Sequence, residues 1–348
     1  IIIVKKCDIK IYYSDARNIE NIPDNSIALV VTSPPYPMIA MWDNLFTNIN
    51  PEIKHCLENQ DGRAAFQLMH LELDKVWREM YRVLMEGGIA CINIGDAART
   101  IDGNFQLFNN HSRIIHSCLD IGFVTLPLIL WRKSTNAPNK FMGSGMLPAG
   151  AYVTLEHEYI LILRKGRKRE FKSEYEKKNR RESALFWEER NVWFSDIWDF
   201  KGVRQEMGVK PDLRNRSAAF PLELAHRLIN MFSVKGDTVL DPFLGTGTTI
   251  IAAMLSARNC TGLEIEKGFQ ELLEKRINNT ADISDTWITN RLLNHEKFMK
   301  GYLSGGKTGY TNVFHQVPVV TGQETDIILE RISLVKKNAP TVYHVIYQ

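Results

Sequence analysis

The chain has 348 residues, of which 44% are hydrophobic and 24% are charged, and it carries a formal net charge of +3. These proportions are typical of a globular protein with room for one large α/β domain and an accessory region, and they exclude a low-complexity chain. No apolar stretch is long enough to span a bilayer and no signal peptide precedes the first predicted strand, so we expect a cytoplasmic protein with no membrane partner. The five cysteines lack Cys-x-x-Cys spacing, which argues against a zinc site and for a reducing compartment.

The first informative motif follows the second predicted strand. Residues 9–13 are predicted to form a strand that ends near Asp15, and the apolar run at residues 27–31 predicts a second, buried strand. The sequence Thr-Ser-Pro-Pro-Tyr at residues 32–36 then lies where a parallel strand ends, which is where ligands bind in open α/β sheets. Because two prolines fix the backbone and remove two N–H donors, this turn offers a hydroxyl, carbonyls and an aromatic face. We interpret it as a pocket for a flat, amine-bearing ring; the alternative is a simple strand end with Tyr36 packed in the core.

Helical and strand patterns alternate after this motif. Residues 37–62 lack clean periodicity and could form a lid, whereas apolar positions from 66 to 83 repeat at helical spacing and end at Gly87 and Gly88. The further predicted elements are a strand at 89–94, a helix at 111–119, a strand at 123–131, a loop at 134–150 and a strand at 156–163. His157 in the last strand is a candidate site residue, although a structural histidine is the more common case. The alternation favours a doubly wound, mainly parallel α/β sheet.

Positive charge is concentrated in one segment. Residues 164–181 contain ten Lys or Arg and three Glu, so this segment carries +7 and the remainder of the chain carries −4. Such a cluster favours contact with phosphate groups, and the alternative is a solvated loop. The tryptophans at 187, 193 and 198 follow in the same part of the chain.

A second motif indicates a nucleotide-like ligand. A helix is predicted at 220–232, a strand at 238–240, a helix at 250–257 and a strand at 260–263. The sequence Asp-Pro-Phe-Leu-Gly-Thr-Gly-Thr-Thr at 241–249 joins the first of these strands to the second helix, and its glycines let the backbone turn tightly at a helix N-terminus. Glu264 comes 17 residues after Gly247, at a strand end where a carboxylate can accept hydrogen bonds from ribose hydroxyls. The third glycine of the dinucleotide fingerprint is missing, so a nicotinamide site is the weaker alternative.

Taken together, the two motifs resemble the catalytic and cofactor motifs of the amino-DNA methyltransferases of restriction-modification systems. Their order, with the catalytic motif first, and their separation of about 200 residues are similar to the beta group of that family. The resemblance covers residues 8–275 and implies a doubly wound, mainly parallel methyltransferase sheet in circularly permuted order. It divides the chain into a catalytic half (1–163), a DNA target-recognition insert (164–216), a cofactor-binding half (217–280) and an accessory region of unknown role (281–348). Short β-like runs at 313–320, 327–335 and 342–347 suggest a small subdomain in that last region.

The resemblance implies methyl transfer from S-adenosylmethionine to the exocyclic amino group of a base flipped out of duplex DNA. It implies a catalytic role for Ser33, Pro34 and Tyr36. The implied cofactor-binding residues are Asp15, Thr32, Phe220, Pro221, Asp241, Pro242, Phe243, Gly245, Gly247, Thr248 and Glu264. The implied DNA-binding residues are Lys168, Arg169, Lys177, Lys178, Arg180 and Arg181, and no metal is expected.

The residue directly before the two prolines of the catalytic motif indicates which base is the target. Ser33 resembles the cytosine-N4 subtype, whereas Asp or Asn at that position is typical of adenine-N6 enzymes, which are the main alternative. An RNA or protein amino-methyltransferase is disfavoured by the large basic insert, and a silent DNA-binding module by the complete set of site residues. The chain also lacks the Pro-Cys dipeptide of enzymes that methylate carbon 5 of cytosine. The implied partners are double-stranded DNA and a cognate restriction endonuclease acting on the same site.

Overall fold

A central sheet organises the computed structural model, which describes residues 6–133, 142–202, 220–306 and 308–348. The strands are β1 Lys6–Tyr12, β2 Ile27–Thr32, β3 Leu84–Ile94, β4 Ala97–Ile101, β5 Asn104–Phe108, β6 Phe123–Thr125, β7 Ile129–Arg132, β8 Met142–Gly143, β9 Ala151–Tyr152, β10 His157–Lys165, β11 Ile197–Asp199, β12 Thr238–Asp241, β13 Asn259–Leu263, β14 Tyr310–Thr311, β15 Pro318–Val319, β16 Ile332–Ala339 and β17 Val342–Tyr347. The helices are α1 Asp43–Ile49, α2 Pro51–Glu58, α3 Gly62–Val83, α4 Asn110–Ile121, α5 Glu174–Glu182, α6 Trp187–Trp193, α7 Leu222–Phe232, α8 Thr248–Leu255, α9 Gln270–Asn278 and α10 Thr280–Ser304.

The central sheet has the strand order β11-β7-β10-β3-β2-β12-β13-β1-β17-β16, and β6 also pairs with β10. The five neighbours β3, β2, β12, β13 and β1 run parallel to one another. Antiparallel strands extend the sheet at both ends, β10 beside β3 and β17 beside β1. All six residues of β2 are buried, as expected for a parallel strand covered by helices on both faces.

The two halves of the chain interleave in this sheet. Strands β12 and β13 come late in the chain but lie between β2 and β1, with Val239 opposite Leu29 and Ile9 opposite Cys260. Because β2 lies beside β12, the two predicted motifs emerge side by side at the carboxyl ends of adjacent parallel strands. The predicted doubly wound, mainly parallel sheet in permuted order is confirmed.

Each face of the sheet has its own hydrophobic core. On one face, Met69, Leu73 and Val76 of α3 belong to a buried cluster with Ile92 of β3 and Leu240 of β12. On the other face, a second cluster joins helices α7 and α8 to strands β1, β2 and β13 through Leu224, Ile250, Ile9, Leu29 and Cys260. Burial of both faces holds the parallel strand ends in a rigid frame.

Two predicted elements differ in the structure. The predicted strand at 123–131 is split into β6 and β7, because Pro127 lies between them and has no N–H to donate to a ladder. The runs at 327–335 and 342–347 do not form a separate subdomain: β16 and β17 pair with each other and add to the central sheet beside β1. The 25-residue helix α10 precedes them. The four-part division of the chain is not tested by this arrangement and stays a prediction.

Parts of two predicted segments lie outside the described residues, namely 134–141 of the predicted loop and 203–216 of the predicted insert. The described part of the insert contains α5 and α6, and its strand β11 joins the end of the central sheet beside β7. Among the helices in the described ranges, none is both long and apolar enough to cross a membrane.

Candidate active site

A cavity of about 370 Å³ opens at the carboxyl ends of the parallel strands. The predicted site residues that line it are Asp15, Ser33, Pro34, Phe220, Asp241, Pro242, Phe243, Gly245, Thr248 and Glu264. The structure thus brings together residues from both halves of the chain. Among the residues predicted to bind the cofactor, Thr32, Pro221 and Gly247 do not line this cavity.

The turn after β12, which we call the glycine turn, requires glycine at two positions. Gly245 and Gly247 have φ angles of +51° and +82°, which favour glycine. A Cβ atom at 247 would come within 2.5 Å of Leu273 Cδ2, whereas one at 245 would have only the Phe243 carbonyl oxygen within 4 Å, at 3.9 Å. Gly247 therefore shapes the turn before α8, and Gly245 leaves the backbone open towards the cavity.

Glu264 lies at the end of β13 beside this turn, as predicted. It is 8% exposed, and its carboxylate accepts hydrogen bonds from the backbone N–H groups of Gly245 (2.7 Å) and Glu266 (2.8 Å). Burial raises the pKa of the Glu264 carboxyl despite these two bonds. A nearly buried carboxylate on the cavity wall is suited to accept hydrogen bonds from ligand hydroxyls.

Asp241 connects the two motifs. It is 2% exposed and accepts hydrogen bonds from the hydroxyls of Thr32 (2.7 Å) and Thr249 (2.6 Å) and from the Phe243 N–H (3.1 Å). Burial raises the pKa of Asp241 to about 6, although these hydrogen bonds oppose the shift. Thr32 is 1% exposed, so its observed role is to bind Asp241.

A charged cluster and helix α1 also line the cavity. Arg17 Nη2 contacts Asp15 Oδ2 at 2.6 Å, and its Nη1 contacts Glu72 Oε2 at 2.6 Å. Although burial opposes it, hydrogen bonds from Arg17 hold the pKa of Asp15 below its ordinary value. Arg17 and Glu72 carry no sequence motif, and they were not predicted. Residues 41, 42, 44–46 and 49 also line the cavity, within the segment predicted as a lid.

A hydrogen-bonded cluster surrounds residues 33–36, the turn that the resemblance predicts to be catalytic and that we call the catalytic turn. The Ser33 hydroxyl donates to Tyr36 Oη at 3.2 Å, and the Tyr36 hydroxyl donates to Glu158 Oε2 at 3.0 Å. Asn93 Nδ2 donates both to Tyr36 Oη (2.9 Å) and to Glu158 Oε2 (2.6 Å). The Lys133 ammonium forms an ion pair with the other Glu158 oxygen, Oε1. Asn93, Glu158 and Lys133 were not among the predicted site residues.

The register between strands β3 and β10 explains why Asn93 and Glu158 lie close together. Strand β3 lies between β2 and β10, and Asn93 pairs with Ile160, two residues after Glu158. Because side chains alternate along a strand, Glu158 and Asn93 share a face at the same edge of the sheet. The sequence signal for this pair was weak: Asn93 is a polar residue near the end of the apolar strand β3, and Glu158 is a polar residue near the start of the apolar strand β10. His157, the candidate chosen from that second strand, packs its ring edge-on against Tyr159.

The predicted DNA-binding residues lie at the other edge of the sheet. Lys165 ends β10, and its ammonium donates to the carbonyl oxygens of Tyr81, near the end of α3, and of Leu84, the first residue of β3. Glu158 lies seven residue steps earlier in the same strand, a distance of about 23 Å at roughly 3.3 Å per step. Helix α5 also attaches at that far edge, because Asn179 Nδ2 donates to the Lys235 carbonyl before β12.

Most of these basic side chains have acidic neighbours. The ion pairs are Arg169–Asp237 at 2.6 Å, Lys177–Glu174 at 2.8 Å, Arg181–Asp326 at 3.7 Å and Lys178–Glu182 at 3.9 Å. Arg169 and Arg180 also lie against the ring of Phe171. The structure therefore does not bring Lys168, Arg169, Lys177, Lys178, Arg180 and Arg181 to the catalytic turn, and their contact with DNA stays a prediction.

Comparisons with known proteins agree with this geometry. The chain matches the DNA methylase family over residues 27–275. It is 50% identical over 341 residues to the Type II methyltransferase M.MthZI of Methanothermobacter thermautotrophicus, covering 97% of this chain and 95% of that protein. It is 53% identical over 279 residues to the Type II methyltransferase M.MjaI of Methanocaldococcus jannaschii, covering 77% and 90%. A candidate DNA modification methylase of Thermus thermophilus, solved in complex with S-adenosyl-L-methionine, has a TM-score of 0.59 and 34% identity over 78% of this chain and 95% of that one.

The fold and the two turns define an S-adenosylmethionine-dependent methyltransferase. The chain belongs to the DNA methylase family, as an amino-DNA methyltransferase of the kind found in restriction-modification systems. The predicted family and cofactor are confirmed. The cavity fits that cofactor, since the Gly245 backbone is open towards it and the buried Glu264 carboxylate lies on its wall.

Proposed function

We propose that this enzyme methylates the N4 amino group of cytosine in double-stranded DNA. The observation that carries the proposal is the neutral hydroxyl of Ser33 at the first position of the catalytic turn, on the wall of the cavity. Its own proton is directed to Tyr36, so its lone pairs are free to accept a hydrogen bond from an incoming amine. Asp or Asn would place an acceptor one atom further from the backbone and seat the amine differently.

The reaction explains why acceptors are needed. An exocyclic amine of a base is a poor nucleophile because its lone pair is delocalised into the ring. Bound S-adenosylmethionine supplies an electrophilic methyl group on a sulfonium sulfur. As the amine attacks, positive charge develops on its two hydrogens, and fixed acceptors stabilise that charge. We assign one hydrogen to Ser33 Oγ and the other to the Pro34 carbonyl.

The target base has to leave the duplex to reach this turn. We assign Tyr36 to stack on it. Two aromatic residues lie farther along the same edge of the sheet, Trp131 in β7 and Phe200 directly after β11. Trp131 lies 5.5 Å from Phe200 between ring centroids, and the Lys133 ammonium lies 4.7 Å from the centre of the Trp131 ring. The Trp131 ring is only 1% exposed and supports the partly buried ring of Phe200, to which we assign the apolar surface for the unstacked base.

The relatives support a proposal about the biological partner. M.MthZI and M.MjaI are Type II methyltransferases, and the alignments cover most of both proteins. We infer that this enzyme likewise protects a specific duplex sequence against a cognate restriction endonuclease. The rate of cleavage of the host DNA by that nuclease should therefore depend on this enzyme.

Nucleoside analysis tests the proposed base. DNA from cells that express the enzyme is digested to nucleosides and analysed by mass spectrometry, with the Ser33→Ala variant as the control. We expect N4-methylcytosine in the wild-type sample and little or none in the control. N6-methyladenine as the sole new nucleoside would overturn the cytosine assignment and support the adenine alternative.

A further inference from the structure

We propose that Glu158 is a positioning residue of the methylation reaction: acting through Tyr36, it holds Ser33 as a hydrogen-bond acceptor towards the target amine. The inference rests on the proposed role of Ser33 in the reaction. It does not depend on which base carries that amine. It concerns a residue about 120 positions from the catalytic turn that belongs to neither motif.

The direction of each hydrogen bond follows from the chemistry of the groups around Tyr36. An ionised carboxylate only accepts, and an amide nitrogen only donates. Asn93 Nδ2 is fixed towards the carboxylate, because the amide oxygen would be repelled there. Tyr36 Oη therefore accepts a hydrogen bond from Asn93, and its own proton is directed to Glu158 Oε2 at 3.0 Å, a carboxylate oxygen that is a closer and stronger acceptor than the Ser33 hydroxyl at 3.2 Å.

The Ser33 hydroxyl completes this chain of hydrogen bonds. It lies 3.2 Å from Tyr36 Oη, whose proton is already used, so Ser33 has to donate in this pair. A hydroxyl has one proton and two lone pairs, and the proton is now directed away from the amine. A serine with its proton free to rotate would instead present a donor to the amine part of the time.

Two further features of the structure hold Glu158 in place. The Lys133 ammonium pairs with its second oxygen, so both carboxylate oxygens have partners. Gly95 leaves room for the cluster, since a Cβ atom there would lie 3.1 Å from Tyr36 Cε2 and 3.4 Å from Glu158 Cγ. Burial and the negative charge of Glu158 raise the pKa of Tyr36 well above its ordinary value, so Tyr36 stays a donor.

The test is a double-mutant cycle on the rate of methyl transfer in a single turnover. The variants are Glu158→Gln, Ser33→Ala and the double variant, assayed with purified enzyme, S-adenosylmethionine and unmethylated DNA. In Glu158→Gln the amide NH2 group faces either Lys133 or Tyr36. The hydrogen bonds from Ser33 through Tyr36 therefore lose their fixed direction. We expect this change to slow the wild-type enzyme by roughly tenfold to a hundredfold, a smaller loss than for an acceptor that touches the amine.

Coupling separates a positioning role from a purely structural one. In the Ser33→Ala background we expect Glu158→Gln to have little further effect, because the hydroxyl that it orients is gone. Cofactor and DNA affinities should stay within about twofold, a change that is small on the scale of 1.4 kcal/mol per tenfold. Glu156→Gln is the matched control: Glu156 lies two residues away, is about half exposed, and pairs with Arg132 outside the cluster.

Several outcomes would overturn the inference. A wild-type rate in Glu158→Gln, or equal losses from that change in both backgrounds, would remove Glu158 from the reaction. If Glu158→Gln does not fold, Tyr36→Phe keeps the ring, removes the linking hydroxyl and should show the same coupling to Ser33. The methylated nucleoside is identified in the same samples, so N6-methyladenine would sink the cytosine assignment and leave this test intact.

Discussion

Thr32 and Asp241 are 209 residues apart in the chain, yet the Thr32 hydroxyl donates a 2.7 Å hydrogen bond to the buried Asp241 carboxylate. Thr249, at the start of α8, donates to the other oxygen of the same carboxylate at 2.6 Å. One buried side chain thus joins the last residue before the catalytic turn to the helix after the glycine turn. We expect this connection to fix the position of the catalytic turn relative to the glycine turn.

Asp241 makes the stability of the protein depend on pH. Burial raises its pKa from 3.8 to about 6 in the folded protein, so the ionised form is disfavoured by folding. Below the ordinary pKa of 3.8, Asp241 is protonated in both the folded and the unfolded protein. As pH rises from about 4 to 6 the unfolded protein ionises first, so the free energy of unfolding falls. Relative to Asp241→Asn, we expect wild type to lose on the order of 3 kcal/mol of unfolding free energy between pH 4 and 7. Urea denaturation across that range measures it, and a difference that does not change with pH would contradict it.

Glu264→Ala should weaken S-adenosylmethionine binding by on the order of 1.5–3 kcal/mol, because the ribose hydroxyls lose a charge-assisted acceptor. Calorimetry at neutral pH measures the loss. Since burial raises the pKa of Glu264, mild acid should weaken cofactor binding more in wild type than in Glu264→Gln. Unchanged affinity in a folded Glu264→Ala protein would exclude this residue from cofactor binding.

Ser33→Ala should reduce turnover by roughly 10²–10³, the scale for losing one hydrogen-bond partner in the transition state. S-adenosylmethionine affinity should stay near normal, because we assign the hydroxyl to the target amine and not to the cofactor. Steady-state kinetics with calorimetry on the same samples separates the two effects. Normal turnover in this variant would show that another group accepts from the amine.

The basic helix α5 should not make the main contacts with DNA bound at the catalytic turn. Replacing Lys177, Lys178, Arg180 and Arg181 with Gln should leave the slope of log K against log salt unchanged, because these residues lie at the far edge. Lys201 is exposed and directly follows Phe200, whose ring packs on Trp131, so Lys201→Gln should flatten the slope by about 0.9 for one lost phosphate contact. A flatter slope in the quadruple variant would contradict this expectation and support the DNA-binding role predicted for this segment from its sequence.

What could be predicted from sequence was local or periodic. The proline turn and the glycine turn are contiguous and follow apolar strands, so both could be located at the correct edge of the sheet. Glu158 and Asn93 could not, because they meet through the pairing of β10 with β3, and no local pattern encodes that register. Arg17 and Glu72 meet through the packing of α3 beside the loop after β1, which is likewise a tertiary contact.

The basic segment shows a different limit. Its charge count was correct, but the antiparallel direction of β10 carries the chain away from the catalytic edge before the charges begin. Their acidic partners Asp237 and Asp326 are distant in sequence, so a window count overstated the net charge of the surface. The C-terminal hairpin was predicted as strands, but its place beside β1 depends on a pairing over some 330 residues.

The most direct test of the account is transfer of a deuterium-labelled methyl group by the purified enzyme. Unmodified DNA amplified in vitro is incubated with S-adenosylmethionine that carries the label, digested to nucleosides and analysed by mass spectrometry. We expect the label in N4-methylcytosine, and we expect that signal to be lost in Ser33→Ala. Label found only in N6-methyladenine, or no label in the DNA although the enzyme is folded and binds the cofactor, would contradict it.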